Sequence, residues 1–324
     1  FAAFCPIIDQ NPGCLMIKIL TKPGNWELKI GTCLLLLLIL IAIIGPFYAP
    51  YDPNYTESIR KVTVNGVKKT IFSPEKPGAR HWFGTDFWGY DILTMMLYGA
   101  KYTLSACFLI ALLRVFLGTV LGLFLGIKKE PSQKFESLGG VPSFVILVFI
   151  FYGLGFNSSI PTVNLFLLEV FFIAIVGLPG VLFPIQKRTN EITQESFIEA
   201  AISIGADKIR IVTKHIFPQL RGYCLTILIT EMITALNIIG QLGIFFIFLG
   251  GTIFTQDPPL LHSATNEWMG IIGQSRNKIF SQPWLLLIPL CAYIIVLLSF
   301  HLISQGIEKY YEKKYTQTPN IFQY

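Results

Sequence analysis

Charge is what this chain has least of. Asp, Glu, Lys and Arg make up 14% of its 324 residues, where a water-soluble domain carries about 25%. Hydrophobic residues reach 53% and mean hydropathy is +0.59, so most of the surface belongs in lipid. Histidine is nearly as scarce. His81, His215, His262 and His301 are far apart in the chain, which argues against a catalytic metal site. The patterns His-Glu-x-x-His and Gly-x-Ser-x-Gly are missing, and so is the Gly-Lys-Ser/Thr phosphate loop. The chain therefore has no route of that kind to ATP hydrolysis, and no catalytic, metal or cofactor residue is expected in it. The six cysteines form neither a disulfide framework nor a metal spacing. Cys33, Cys107, Cys224 and Cys291 lie in apolar runs, where a lone thiol is an ordinary small apolar side chain.

Apolar runs are what the chain has in abundance. A bilayer span takes about 20 mostly apolar residues, and six runs qualify: Leu28–Tyr48, Tyr102–Ile127, Leu138–Phe156, Val163–Phe183, Gly222–Phe248 and Trp284–Ser304. Gly139, Pro142 and Gly153 interrupt the third and Pro179 the fourth, breaks that neighbouring helices can resatisfy. The expected fold is all-α and integral to the membrane, with about six transmembrane helices. Its parts are a tail (1–27), a first helix (28–48), a loop (49–101), a core of five helices (102–304) and a second tail (305–324). No cleavable signal pattern opens the chain, and Met16-Ile17-Lys18 is a more natural beginning than Phe1, so no role is assigned to the residues before Met16.

Lys and Arg in short loops set orientation. Lys18, Lys22 and Lys29 precede the first run, Lys128, Lys129 and Lys134 follow the second, and Lys309, Lys313 and Lys314 follow the last. Asn157–Thr162 has no charge, and Gly250–Pro283 has only Arg276 and Lys278 as basic residues. These loops sort to two sides if both termini are cytoplasmic. The loop 49–101 is basic as well, but long translocated loops obey the rule weakly. The net charge of +6 thus reflects topology, and no nucleic-acid partner is needed to explain it.

One stretch turns polar and reads Ser196-Phe-Ile-Glu199-Ala200-Ala201-Ile-Ser-Ile-Gly205, then Ala-Asp207-Lys-Ile-Arg210-Ile-Val-Thr-Lys214-His215-Ile216-Phe-Pro218. Ser196 and Glu199 have the spacing of a reciprocal helix cap. Gly205 suits a left-handed helix end. Asp207 can start a second short helix, which Pro218 should stop. The first helix should present Phe197, Ala201 and Ile204 on one face, with Glu199 off it.

Glu199-Ala200-Ala201, Gly205 and Ile216-Phe217-Pro218 stand at the spacing of the EAA loop of ABC importer permeases, and this stretch resembles it. Upstream, Gly84-Thr85-Asp86-Phe-Trp-Gly89-Tyr90-Asp91, then Tyr98-Gly99-Ala100, is similar to the motif before the second span of oligopeptide/dipeptide permease C subunits. Asp257-Pro258-Pro259 with Glu267-Trp268 is similar to a third of their stretches. The resemblance covers about Leu28 to Glu308 and implies the type I ABC importer permease fold in a bacterial inner or plasma membrane. It implies a second homologous permease, two cytoplasmic ATPase subunits that carry the ATP and Mg, and an extracytoplasmic binding protein. The loop 185–221 would dock on an ATPase through Glu199, Ala200, Ala201, Gly205, Ile216 and Pro218. Short peptides are the first substrate class it implies, then nickel or another chelated metal. Tyr90 replaces the Arg usual before Asp91, and Gln241, rather than an acid, precedes Phe248-Leu249-Gly250-Gly251.

Intramembrane polar residues mark pathways, interfaces or internal pairs. Arg114, Glu169, Glu231 and Gln241 are the candidates for a pathway or subunit interface, and Arg114 can also pair with Glu169 or Glu231. A proton-coupled secondary carrier would explain such acids, and a membrane subunit with no transport role is the plainer alternative. Neither accounts for the EAA-like loop. Finally, Asn65-Gly66 between β-prone flanks predicts a hairpin across Val62–Phe72.

Overall fold

The structure, a computed structural model, describes residues 25–64, 67–127, 142–256 and 259–316. The basic residues before Asn25, those at 128, 129 and 134, and the end of the second tail lie outside them. α1 (Trp26–Tyr48) leads to a segment holding β1 (Ile59–Val64) and β2 (Val67–Phe72), then to α2 (Ile92–Ile127). α3 (Ser143–Gly155), α4 (Thr162–Gly177) and α5 (Pro179–Thr193) follow. The polar stretch forms α6 (Ser196–Ser203), α7 (Lys208–Ile211) and a π turn (Val212–Ile216), and then α8 (Phe217–Ile244) begins. β3 (Thr252–Gln256), β4 (Pro259–Ser263), α9 (Trp268–Ser275) and α10 (Trp284–Thr316) complete the chain.

Four helical stretches among the described residues are long and apolar enough to cross a membrane, and α4 with α5 makes a fifth span bent by 43°. The expected count of six is therefore not reached there. Of the predicted third span only Ser143–Gly155 is helical. Its 13 residues rise about 20 Å, short of a hydrocarbon core of about 30 Å, and residues 138–141 lie outside the described set. The fourth span bends where Gly177, Leu178 and Pro179 meet. Pro179 has no N–H to continue the ladder, and Leu178 N–H turns to the Ile175 carbonyl instead, at 3.2 Å.

Small residues bring the helices together. Gly118, Gly122 and Gly126 recur every fourth residue on α2, and against them stand Val181, Ile185 and Thr189 of α5. A Cβ at Gly118 would lie 2.7 Å from Val181, and one at Gly126 would lie 2.6 Å from Thr189. Close approach of this kind replaces the hydrophobic drive that lipid cannot supply. At the other edge α1 packs on α10, where Asn25 Nδ2 donates to the Gly306 carbonyl at 2.9 Å and Lys309 pairs with Glu27. One large core joins α1–α4 and α8–α10, and a smaller one lies between α2, α5 and the polar stretch.

β1 and β2 pair antiparallel from Ile59↔Phe72 to Val64↔Val67, so the predicted hairpin is present. It starts before the expected Val62, and the turn residues 65 and 66 lie outside the described residues. β3 and β4 form a second hairpin, Thr252↔Ser263 to Gln256↔Pro259. It had no turn signature of the Asn-Gly kind, and residues 257 and 258 also lie outside the described set. Asn157 extends it like a strand: its backbone N–H reaches the Thr252 carbonyl at 2.9 Å, and its side-chain oxygen accepts Phe254 N–H at 2.8 Å.

Candidate functional site

The polar stretch lies at the end of the bundle where α2 finishes. Its helices are pinned by a few apolar side chains: Ile198 (1% exposed), Ile211 and Ile216 pack with Val181, Ile185, Ile192 and Leu220. The reciprocal cap expected of Ser196 and Glu199 does not form. Ser196 is already the first helical residue, behind an extended Glu195, and no side-chain cap is made. The reason is a turn inherited from α5, in which Glu195 N–H reaches the Ile192 carbonyl at 3.2 Å. That turn starts the helix one residue early, and the Glu195 carbonyl then accepts Ile198 N–H at 3.0 Å.

Gly205 has φ +86° with no heavy atom near an added Cβ. This is the left-handed helix end read from the sequence, and it closes with Gly205 N–H on the Ile202 carbonyl at 2.9 Å. Pro218 does not stop the second helix. The π turn Val212–Ile216 widens the backbone so that Phe217 N–H bonds the Val212 carbonyl, and Pro218 falls in the first turn of α8, where a missing N–H costs nothing. The helix thus runs on, and Ile209–Ile244 behaves as one 36-residue span.

The expected apolar face is also shifted. Ile198 is the buried residue of α6, with Phe197 and Ala201 half-buried, whereas Ile204 is 88% exposed. Ile202 and Ile209 are exposed too, and Glu199 and Ala200 lie open beside them. Next to them Gly205, Asp207, Arg210, Thr213 and Lys214 line a shallow depression of about 450 Å³. Exposed isoleucines thus stand beside charged side chains here, an apolar patch left uncovered in the isolated protomer.

Of Arg114, Glu169, Glu231 and Gln241, the structure joins Arg114 to Glu231, while Glu169 and Gln241 take no part in that pair. Arg114 is 1% exposed in the middle of α2. Its Nη1 donates to Glu231 Oε2 and its Nη2 to the Ile173 carbonyl, both at 2.8 Å. The guanidinium occupies the space that a side chain at Gly177 would need. A charge this deep is tolerable when it is paired, as Nη1 and Nη2 are, while the buried Nε has no hydrogen-bond partner. Glu169 is fully buried in α4, and its Oε2 accepts Gly250 N–H at 2.6 Å. Gln241 faces outward on α8.

At the far end of α2, Asp91 is the residue that holds the helix start. Its Oδ2 accepts both the backbone N–H and the hydroxyl of Thr94 at 2.8 Å, while its Oδ1 lies 2.9 Å from His81 Nδ1. His81 thus stands where the absent arginine partner was missed. The sequence did not point to this pairing: Asp91 lies in the quoted motif, and His81 stands three residues before it begins. His81 stacks on Tyr51 at 4.9 Å, and Arg80 pairs with Glu57 at 2.9 Å. Tyr90 stacks on His262 at 5.3 Å, whose imidazole burial pushes down to about 4. Asp86 Oδ1 accepts Trp88 and Tyr90 N–H at 2.9 and 2.8 Å. Burial nevertheless pushes the Asp86 carboxyl up to about 7 against those bonds.

Comparison with known proteins decides what this arrangement is. Residues 135–317, more than half of the chain, match the model of the binding-protein-dependent transport system inner membrane component. The chain belongs to that family. Residues 29–63 match the N-terminal transmembrane domain of oligopeptide transport permease C. The dipeptide transport system permease protein DppC of Alkalihalophilus pseudofirmus is 29% identical over 283 residues, covering 86% of this chain and 83% of its own. The glutathione transport system permease protein GsiD of Escherichia coli O1:K1 is 27% identical over 282 residues, covering 84% and 81%. GsiD of Pectobacterium atrosepticum is 26% identical over 278 residues, covering 84% and 82%. The protein is thus a permease subunit of the binding-protein-dependent transport family and a multi-pass membrane protein. As a permease subunit it belongs to the non-catalytic part of such a transporter.

Proposed function

We propose that this chain forms half of the translocation pathway of an ATP-driven importer for short peptides, with 185–221 as the element that couples it to an ATPase subunit. One observation supports the coupling role above the rest. α6 is anchored by Ile198 but leaves Ile202, Ile204 and Ile209 exposed around a depression, on an element braced to α2 through α5. A push on such an element reaches the spans. The names of its relatives favour peptides as substrate over nickel. A homologous permease, two ATPases that bind ATP and Mg, and an extracytoplasmic binding protein complete the assembly, with both termini of this chain cytoplasmic.

Glu199→Lys and Gly205→Val, expressed with the partner subunits, test the coupling. Membrane insertion should stay normal while peptide uptake and ATPase association fall. Wild-type uptake by both variants would sink the coupling role. Orientation is tested separately with single cysteines in a background without the native ones. Ser158→Cys should react with an impermeant reagent from outside, and Thr193→Cys should not.

A further inference from the structure

α8 carries a face unlike that of any other span among the described residues. Gln219, Tyr223, Thr226, Thr230, Thr234, Asn237 and Gln241 recur at steps of three or four residues, which places them on one stripe of a helix. Between Tyr223 and Ile244 the exposed positions of α8 are Thr230, Asn237 and Gln241, all polar. On α2 the exposed positions from Phe108 to Leu125 are Phe108, Leu112, Phe116, Val120, Leu121, Phe124 and Leu125, all apolar. α2 presents lipid with what lipid accepts. α8 does not.

Hydrogen bonding sharpens the contrast. Thr226, Thr230 and Thr234 donate their hydroxyls to the carbonyls of Gly222, Thr226 and Thr230, at 3.3, 3.1 and 3.0 Å. Each threonine can therefore face a greasy or a wet surface without a stranded donor. Asn237 and Gln241 have no such internal solution, and an amide moved into hydrocarbon without a partner is heavily penalised. The stripe also carries no charge. The one acid in this part of α8, Glu231, turns inward to Arg114. Threonine and amide side chains also serve helix–helix seams, but the closest seams form on glycine. The small residues near it, Gly240 and Gly243, are spent inward: a Cβ at Gly240 would lie 2.9 Å from the Tyr293 hydroxyl, and one at Gly243 would lie 3.0 Å from the Met269 carbonyl.

We infer that the Thr226–Gln241 stripe of α8 lines the water-filled path, and that Asn237 and Gln241 offer amide donors and acceptors to the main chain of a passing peptide. The cargo in this inference rests on the proposed function; the wet face does not. An uncharged stripe contacting main-chain amides would accept peptides with little regard to side-chain charge.

Single cysteines at Thr230, Asn237 and Gln241, with Leu112 and Phe116 as lipid-side controls, test this in the assembled transporter after the six native cysteines are replaced. A charged methanethiosulfonate reagent should modify the α8 positions about tenfold faster than the α2 controls, as water access requires. Trialanine, supplied with binding protein and ATP, should slow that reaction. Fast reaction that trialanine does not slow would uphold the wet path and overturn the peptide cargo. Failure to react with the charged reagent, together with oxidative cross-linking of these cysteines to the second permease, would overturn the inference in favour of a subunit seam. Modification by a lipid-soluble maleimide alone would overturn it in favour of a lipid face.

Discussion

Asp91 and Glu199 each stand in the first turn of a helix or just before it, at opposite ends of α2, and their surroundings differ. Asp91 is buried, holds Thr94 and His81, and sits in a segment knitted by Arg80–Glu57, Arg60–Glu75 and backbone N–H bonds from Trp88, Tyr90 and Gly89 onto Asp86 and from Thr85 onto Glu75. Glu199 is exposed, makes no side-chain cap, and sits beside isoleucines open to solvent. The segment before α2 is finished within the protomer, so its polar residues serve the fold. The α6–α7 stretch is unfinished, since its apolar residues outnumber the partners the protomer gives them. Substitutions should therefore cost folding at the first place and transport at the second.

The largest effect should come from Gly99. A side chain there would overlap the backbone carbonyl of Asn266, and backbone cannot step aside as a side-chain tip can. Gly99→Ala should abolish monodisperse elution of the permease from detergent extracts. Gly205→Ala is the matching change at the other end. It meets no neighbour but keeps a φ of +86°, a strain of roughly 1–2 kcal/mol. The protein should still fold, so equal losses at both glycines would break the comparison.

Next comes Asp91→Ala. It removes a helix cap, roughly 0.5–2 kcal/mol, and a charge-assisted bond to His81, roughly 1.5–3 kcal/mol. A clear drop in thermal stability should follow, with Asp91→Asn falling between it and wild type. Glu199→Ala should move stability by no more than about 0.5 kcal/mol, as for an exposed residue without a partner. A melting curve of each purified variant checks both.

The sequence showed the α-helical membrane class, the hairpin at β1–β2 and the helix end at Gly205, because each rests on local rules of composition or turn chemistry. What it missed depends on neighbours. Pro218 reads as a stop until the π turn is seen to absorb it. Ile204 reads as a core residue until α6 is rotated by its early start, which puts Ile198 inward. Arg114 had two acids in reach, and only the packing of α2 against α8 puts it on Glu231 rather than Glu169. The polar stripe of α8 was in plain sight as spacing, yet it carries no meaning without knowing which side the helix buries.

The smallest effect concerns Asp86, and it probes how far the segment before α2 depends on burial. Its carboxyl, ordinarily near 3.8, is pushed up to about 7 by burial, against the pull of Tyr90, Trp88 and Gly89 backbone groups. In the window between those values the folded segment holds a proton that the unfolded one has released. Stability contributed by this group is therefore full at the acid side of the window and is lost as pH rises through about 7. Hydrogen exchange at the Trp88 and Tyr90 amides, corrected for intrinsic rates, should show firmer protection at roughly pH 5 than at roughly pH 8. Asp86→Asn keeps an oxygen for both N–H groups but cannot ionise, so its protection should no longer change across that range. The α6–α7 amides should show no matching trend in either protein. A wild-type segment protected more strongly at the alkaline end would mean that the two backbone bonds outweigh burial and hold Asp86 ionised.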